Sequence, residues 1–66
     1  MTFAENLLRL RTERKLKQAE LAQQAGIGLR AYQTYERGQR EPTLSTLVAL
    51  ADYYDLTLDE LVGRQR

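Results

Sequence analysis

Four side chains with the means to read DNA bases lie close together between residues 29 and 34. Arg30 can donate two hydrogen bonds to O6 and N7 of guanine, and Gln33 can pair with N6 and N7 of adenine. Leu29 suits the methyl group of thymine, and Thr34 can contact either a base or a phosphate. On a helix predicted over about residues 28–36 these positions share the outer face. They are therefore the candidate base-reading residues.

A second helix and a sharp turn are predicted to hold that face in place. Residues 18–37 read as two short helices joined at Gly26, with Ala22 and Ala25 small enough to let the helices cross closely. Gly26 stands where a left-handed backbone usually closes a helix, and Ile27 can tuck under the turn. This arrangement is typical of a helix-turn-helix whose second helix enters the major groove.

Capping signals divide the rest of the chain into three further helices. Thr2 and Glu5 have capping-box spacing at the start of a first helix that extends to about Arg14. Gly38 ends the helix that carries the base-reading face, and Pro42 prevents its continuation. The expected secondary structure is therefore helical, and no alternating apolar pattern predicts a strand.

The fourth and fifth helices begin with threonines, and together the five helices have room for one core. Thr43 can cap the fourth helix, and Thr57–Glu60 repeats the capping-box pattern. Because 66 residues fill only one small domain, we expect residues 1–66 to form a single all-α unit. The expected core consists of Leu7, Leu10, Leu16, Leu21, Ile27, Tyr32, Leu44, Leu47, Leu50, Leu56 and Leu61.

The composition argues against catalysis and against several kinds of site. The chain has neither cysteine nor histidine, so disulfides, common transition-metal sites and nucleophile–base pairs cannot be built. We expect no metal, no cofactor and no enzymatic activity, and we interpret the acidic side chains near the C-terminus as a solvated face. These acidic residues are Asp52, Asp55, Asp59 and Glu60.

Length and hydropathy give the expected setting of the protein. No apolar run approaches the roughly 20 residues that cross a bilayer, and the first residues do not resemble a signal peptide. A cytoplasmic protein without a membrane partner is expected, and so small a domain leaves little room for a small-molecule pocket.

The net charge of +1 conceals a strong asymmetry. Residues 1–40 contain eight Lys or Arg against four Glu, whereas residues 41–66 contain two Arg against five Asp or Glu. The first part therefore carries +4 and the second −3. A basic face toward a polyanion is consistent with the predicted helix-turn-helix.

The sequence resembles the Cro/repressor type of helix-turn-helix, also called the xenobiotic-response-element family, from Phe3 to Val62. The matching residues are Leu10-Arg11, Leu16, Gln18–Ala22, Ala25–Ile27, Tyr35–Gly38, Arg40, Pro42–Leu44, Thr46-Leu47, Leu50-Ala51 and Leu56–Leu61. The resemblance implies a compact five-helix, lambda-repressor-like DNA-binding domain. It also implies a transcription regulator, which we expect to be a repressor that binds double-stranded DNA as a homodimer on a palindromic operator.

The resemblance also suggests roles outside the base-reading face. In similar proteins the residue matching Gln18 clamps the DNA backbone. Arg11 and Glu36 match positions that form a partly buried ion pair between the first and third helices, for which the planar arginine side chain is suited. The expected phosphate contacts are Gln18, Gly28, Arg37, Arg40 and the backbone amides of Thr43 and Leu44.

Similar proteins often pair through the fifth helix, which gives a candidate dimer interface. Leu58, Leu61 and Val62 cannot all face one small core, so at least one is expected to be exposed. The tail 63–66 ends soon after that helix, so we expect a modest interface.

Three positions depart from the family pattern. Lys17 and Gly28 stand where Ser or Thr commonly caps a helix, and Tyr32 replaces a smaller aliphatic residue.

The alternative function is a protein-interaction module, such as an antitoxin-like partner binder, that uses the same fold. Phage, restriction-modification and toxin–antitoxin contexts all remain open at this point.

Overall fold

Five α-helices follow one another in the computed structural model, which describes residues 2–63. They are α1 (Phe3–Glu13), α2 (Gln18–Ala25), α3 (Leu29–Glu36), α4 (Leu44–Tyr54) and α5 (Leu58–Val62). The expected five-helix, all-α architecture is confirmed, and residues 2–63 contain no strand. Met1 and residues 64–66, which belong to the expected 1–66 domain and its tail, lie outside the described residues. Within the described range no helix is long and apolar enough to cross a membrane.

The predicted capping residues start three of the helices. The Thr2 hydroxyl accepts from the Glu5 N–H at 3.1 Å, and the Glu5 carboxylate accepts from the Thr2 N–H at 3.0 Å. Thr57 and Glu60 form the same reciprocal pair at α5, with distances of 3.1 and 2.9 Å. The Thr43 hydroxyl accepts from the backbone of α4. These local bonds satisfy N–H groups that a helix start leaves without partners.

Left-handed residues close several of the helices, and only some of them are glycine. Gly26 ends α2 with φ 70°, as the sequence predicted. Lys15 and Asp55 take φ values of 55° and 57° after α1 and α4, although side chains make this conformation costly. These two closures were not predicted from the sequence, because neither position carries a glycine.

The helices pack around a core centred on Tyr32, Leu21 and Leu7, each of which is fully buried. Helix α2 packs on α3 and α4, α1 packs on α3 and α5, and α4 packs on α5. Most of the expected core residues are buried, and Leu16, Ile27, Leu47 and Leu56 are partly buried against the cluster. Tyr32 is thus accommodated at the centre rather than at the edge of the packing.

Leu44 is an exception, and its assignment to the core was wrong. It is 68% exposed as the first residue of α4. In that first turn Thr46 is the buried residue. Together with Leu50 and Tyr54 it forms the buried stripe of α4. Leu44 lies at the edge of this stripe, so neighbouring helices do not cover it.

Asn6 is a buried polar residue that the sequence analysis did not single out. Its side chain is 1% exposed, and its Nδ2 donates to the backbone carbonyls of Glu60 at 2.9 Å and Leu61 at 2.7 Å. The Asn6 Oδ1 accepts from the guanidinium of Arg9. Because the last carbonyls of a helix lack partners within it, Asn6 satisfies the end of α5 from the middle of α1.

We predict that Asn6→Ala lowers the free energy of unfolding by about 1–3 kcal/mol, because it removes the side-chain donor to the buried Leu61 carbonyl and one of the two donors to the Glu60 carbonyl. Asn6→Asp should be at least as damaging at neutral pH, since it keeps the acceptor for Arg9 but replaces the donor by oxygen. Urea denaturation of both variants is the measurement, with Arg9→Ala as a control that removes the bonds to Asn6 Oδ1 and Glu13 but leaves those to α5 in place. Wild-type stability in Asn6→Asp would show that the bonds to α5 contribute nothing.

Candidate nucleic-acid interface

Helix α3 has one buried and one open face. Tyr32 and Tyr35 are buried against the core, whereas Leu29 is 45% exposed and Arg30 is also exposed. Gly28 precedes the helix in an extended conformation and, like Lys17 before α2, provides no side-chain cap. Leu29 and Arg30, two of the four residues predicted on the outer face, are therefore open to solvent.

The other two candidate base readers are half-buried and hydrogen-bonded within the protein. The Thr34 hydroxyl donates to the carbonyl of Ala31 at 2.6 Å, so it is turned back onto its own helix. The amide of Gln33 donates from Nε2 to Oε1 of Gln18 at 3.1 Å. Leu29 and Arg30 at the start of the face are thus open to solvent, whereas Gln33 and Thr34 further along it are hydrogen-bonded within the protein.

Gln18, the first residue of α2, connects the face to the interior. Its Nε2 donates to Oε1 of Glu36 at 3.1 Å, while its Oε1 accepts the bond from Gln33. Gln18 and Gln33, predicted from the sequence as separate DNA contacts, are thus bonded to each other, and this bridge was not predicted. The only available signal was the presence of two amides and a carboxylate on adjoining helices of one motif.

Arg11 and Glu36 form an ion pair that fixes α1 to α3. Arg11 Nε lies 2.6 Å from Glu36 Oε2, and Arg11 Nη2 lies 3.1 Å from Glu36 Oε1. The third guanidinium nitrogen donates to the carbonyl of Leu16 at 3.0 Å. The two side chains are 17% and 5% exposed, so water has little access to the pair.

The surroundings of Glu36 keep its carboxylate ionised. Burial raises its pKa, but the hydrogen bonds from Arg11 and Gln18 outweigh this effect and leave the pKa below its ordinary value. The bond to Glu36 correspondingly raises the pKa of Arg11. Both members of the pair are therefore charged near neutral pH.

The remaining phosphate candidates are exposed around the ends of α3 and α4. Arg37 and Arg40 lie in and after the last turn of α3 and are exposed, as is Gly28 before it. The Thr43 hydroxyl is occupied in capping α4, and the Leu44 backbone belongs to the first turn of that helix. Free N–H groups at a helix start are suited to a phosphate oxygen.

The candidate dimer residues divide between surface and core. Leu58 is 41% exposed and Val62 is half-buried, but Leu61 is fully buried. Leu61 is therefore excluded from an interface in this conformation, because its side chain belongs to the cluster shared by the helices. The expectation that α5 leaves an apolar side chain exposed holds for Leu58.

One known protein family matches most of this chain. A family model described as helix-turn-helix matches residues 7–61. The chain belongs to this helix-turn-helix family. The matched residues include α2 and α3 together with the ion pair that joins α3 to α1.

Relatives of this helix-turn-helix domain include proteins named as repressors. The cryptic phage CTXphi transcriptional repressor RstR of Vibrio cholerae is 39% identical over 64 residues, covering 97% of this chain and 57% of RstR. A transcriptional regulator of Listeria innocua superposes with a TM-score of 0.90 at 39% identity, covering 97% of this chain and 60% of that one. The chain spans about half the length of the curated relatives it matches.

One solved structure of the family holds DNA. The P22 c2 repressor, crystallised in complex with a synthetic operator, superposes with a TM-score of 0.89 at 26% identity. The similarity covers 98% of both chains. The fold described above is therefore the fold of a repressor domain that has been observed on an operator.

We predict that Glu36→Ala and Arg11→Met each destabilise the fold and that their effects are not additive. Either change leaves a partly buried charge unpaired, a loss that reaches about 3–5 kcal/mol for fully buried pairs. Chemical denaturation of both single variants and the double variant gives the coupling free energy. Additive effects would refute an energetic role for the pair.

Acidification provides an internal check on that coupling. Because folding lowers the pKa of Glu36, its contribution is complete above the ordinary value of 4.5 and is lost as the pH falls through the folded value. The stability difference between wild type and Glu36→Ala should therefore shrink below about pH 4.5. A difference independent of pH would point to lost packing instead.

Proposed function

We propose that this domain binds double-stranded DNA in a sequence-specific manner as part of a transcriptional repressor, with α3 in the major groove. The observation that carries the proposal is the open face of α3. Arg30 and Leu29 project from it, and Gln33 is held beside them by Gln18. A donor fork, an apolar contact and an oriented amide are the groups that discriminate base edges.

The rigidity of this face supports the same function. Helix α3 is anchored on its inner side by Tyr32 and Tyr35, and its last residue is held by Arg11. A base-reading helix has to keep its side chains within hydrogen-bonding distance of the base edges without reordering.

The distribution of charge is consistent with binding to the phosphate backbone. Arg30, Arg37 and Arg40 are exposed on α3 and the following turn, while Asp52 on α4, Asp55 just after it and Asp59 on α5 are exposed. Arginine is suited to phosphate oxygens because its planar group donates two bonds. The cations thus surround the face that the proposal places on DNA, and the acidic residues lie on later elements of the chain.

The related repressors support the finer parts of the proposal. RstR is named a transcriptional repressor, and the P22 c2 repressor was solved with a synthetic operator. We infer that this domain contacts the phosphates through Gln18, Arg37, Arg40 and the start of α4. Because one helix covers only a few base pairs, we also propose that two copies bind together on a palindrome.

We predict that binding to duplex DNA weakens steeply with salt, because each neutralised phosphate adds roughly −0.9 to the slope of log K against log salt. Fluorescence anisotropy at rising salt concentration is the measurement. Arg37→Gln and Arg40→Gln should each make the slope less steep by about one. Arg9→Gln is the matched control, since Arg9 is paired with Glu13 on α1.

Failure to bind any member of a random duplex pool, even at low salt, would refute the DNA-binding proposal. Equal slopes in Arg9→Gln and Arg37→Gln would contradict the placement of Arg37 at the backbone.

We predict two protein chains per palindromic duplex, with reading helices about 34 Å apart. Leu58→Glu should weaken binding of the second chain because it places a charge in the α5 contact. Val48→Glu is the control, because Val48 on α4 is 41% exposed, the same fraction as Leu58. Analytical ultracentrifugation with and without DNA gives the stoichiometry, and one chain per duplex at saturation would exclude the dimer.

A further inference from the structure

We infer that Glu36, acting through Gln18, holds the Gln33 amide in one orientation and so makes Gln33 read bases with an exocyclic amino group in the major groove. Adenine and cytosine have this group there, whereas guanine and thymine do not. Glu36 and Gln18 are in this respect positioning residues for base specificity. The inference rests on the proposed DNA-binding function and assigns a base class to one position of it.

The orientation begins at the carboxylate. An ionised carboxylate can only accept hydrogen bonds, and Glu36 Oε1 already accepts from Arg11 Nη2 at 3.1 Å. The Gln18 atom that faces it at 3.1 Å must therefore be the nitrogen. The opposite orientation of the Gln18 amide would place two oxygens against each other in a site with little water.

The constraint passes from Gln18 to Gln33. With its nitrogen on Glu36, Gln18 turns its oxygen toward α3, where Gln33 Nε2 donates to it at 3.1 Å. A flipped Gln33 would again oppose two oxygens. The buried charge of Glu36 thus sets the orientation of the Gln18 amide, which in turn sets the orientation of the Gln33 amide.

The free atoms of Gln33 follow from this order. Its Oε1 has no hydrogen-bond partner within residues 2–63, and one of its two amide hydrogens is also uncommitted. The oxygen can accept from N6 of adenine or N4 of cytosine, and the remaining N–H can donate to N7 of adenine. In this geometry O6 of guanine or O4 of thymine takes the place of the amino group, so it would face Gln33 Oε1 oxygen to oxygen.

The test is selection of bound sites from a random duplex pool, followed by affinity measurements on single-base variants of the selected site. The Gln33→Ala variant identifies the base pair that Gln33 reads, as the position whose preference disappears. Arg30→Ala is the matched control and should alter a different base pair. Because every base pair contains one base with this amino group, the strand is assigned by replacing that base with an analogue that lacks the group, such as purine for adenine. For wild type we expect the replacement to weaken binding about tenfold.

Gln18→Lys reverses the polarity at its source. An ammonium group can donate both to Glu36 and to Gln33 Oε1, which turns the Gln33 nitrogen outward. The preferred base pair should then change, and binding should no longer depend on the amino group. Gln18→Met removes the constraint without reversing it, so the preference should become weak. Circular dichroism verifies folding, and Gln18→Met carries the test if Gln18→Lys is unfolded.

The outcomes separate this inference from the function beneath it. No enriched site for the wild type would refute specific DNA binding and this inference with it. An enriched site at which loss of the amino group from the Gln33 base pair leaves binding unchanged would overturn the inference alone. So would an unchanged preference in folded Gln18 variants, or a Gln33→Ala variant that alters no position.

Discussion

The pairing of Arg11 with Glu36 is the interaction on which the rest of the arrangement depends. It spans 25 positions of the chain and joins α1 to the end of α3 through two hydrogen bonds. The same guanidinium also holds the chain between α1 and α2 at Leu16. Removing two charges from water costs more than such a pair usually recovers, so stability alone does not explain its presence. Its geometry instead explains how a short helix of eight residues is kept at a fixed angle.

Features that depend on neighbouring residues could be predicted from the sequence. The capping boxes at Thr2 and Thr57 need only a hydroxyl and a carboxylate three positions apart, and Gly26 needs only its own backbone freedom. Helix boundaries followed from these signals. The outward direction of Arg30 was predictable for the same reason, because helical spacing alone places it opposite Tyr32 and Tyr35. Leu29, three residues before Tyr32, lies at the border of the buried face.

Features that depend on distant contacts could not be predicted. Leu44 and Leu61 occur in similar apolar patterns, yet one is open to solvent and the other is enclosed, because burial depends on which elements lie alongside. Asn6 finds its partners more than 50 positions away. The bridge from Glu36 to Gln33 likewise exists only once α2 and α3 have crossed. Gln33 and Thr34 could therefore be predicted as part of the base-reading face, but the hydrogen bonds that orient them could not.

The position of Asn6 on α1 has a further consequence for how two copies would be arranged. Asn6 holds the end of α5, and Arg11, five residues further along the same helix, holds the end of α3. Helix α1 thus connects α5, the helix proposed to touch a second copy, with α3, the helix proposed to touch DNA. In such a pair the distance between the two copies of α3 would be set by a helix rather than by a flexible loop. If two copies bind as proposed, such a pair would discriminate operators by the distance between their half-sites.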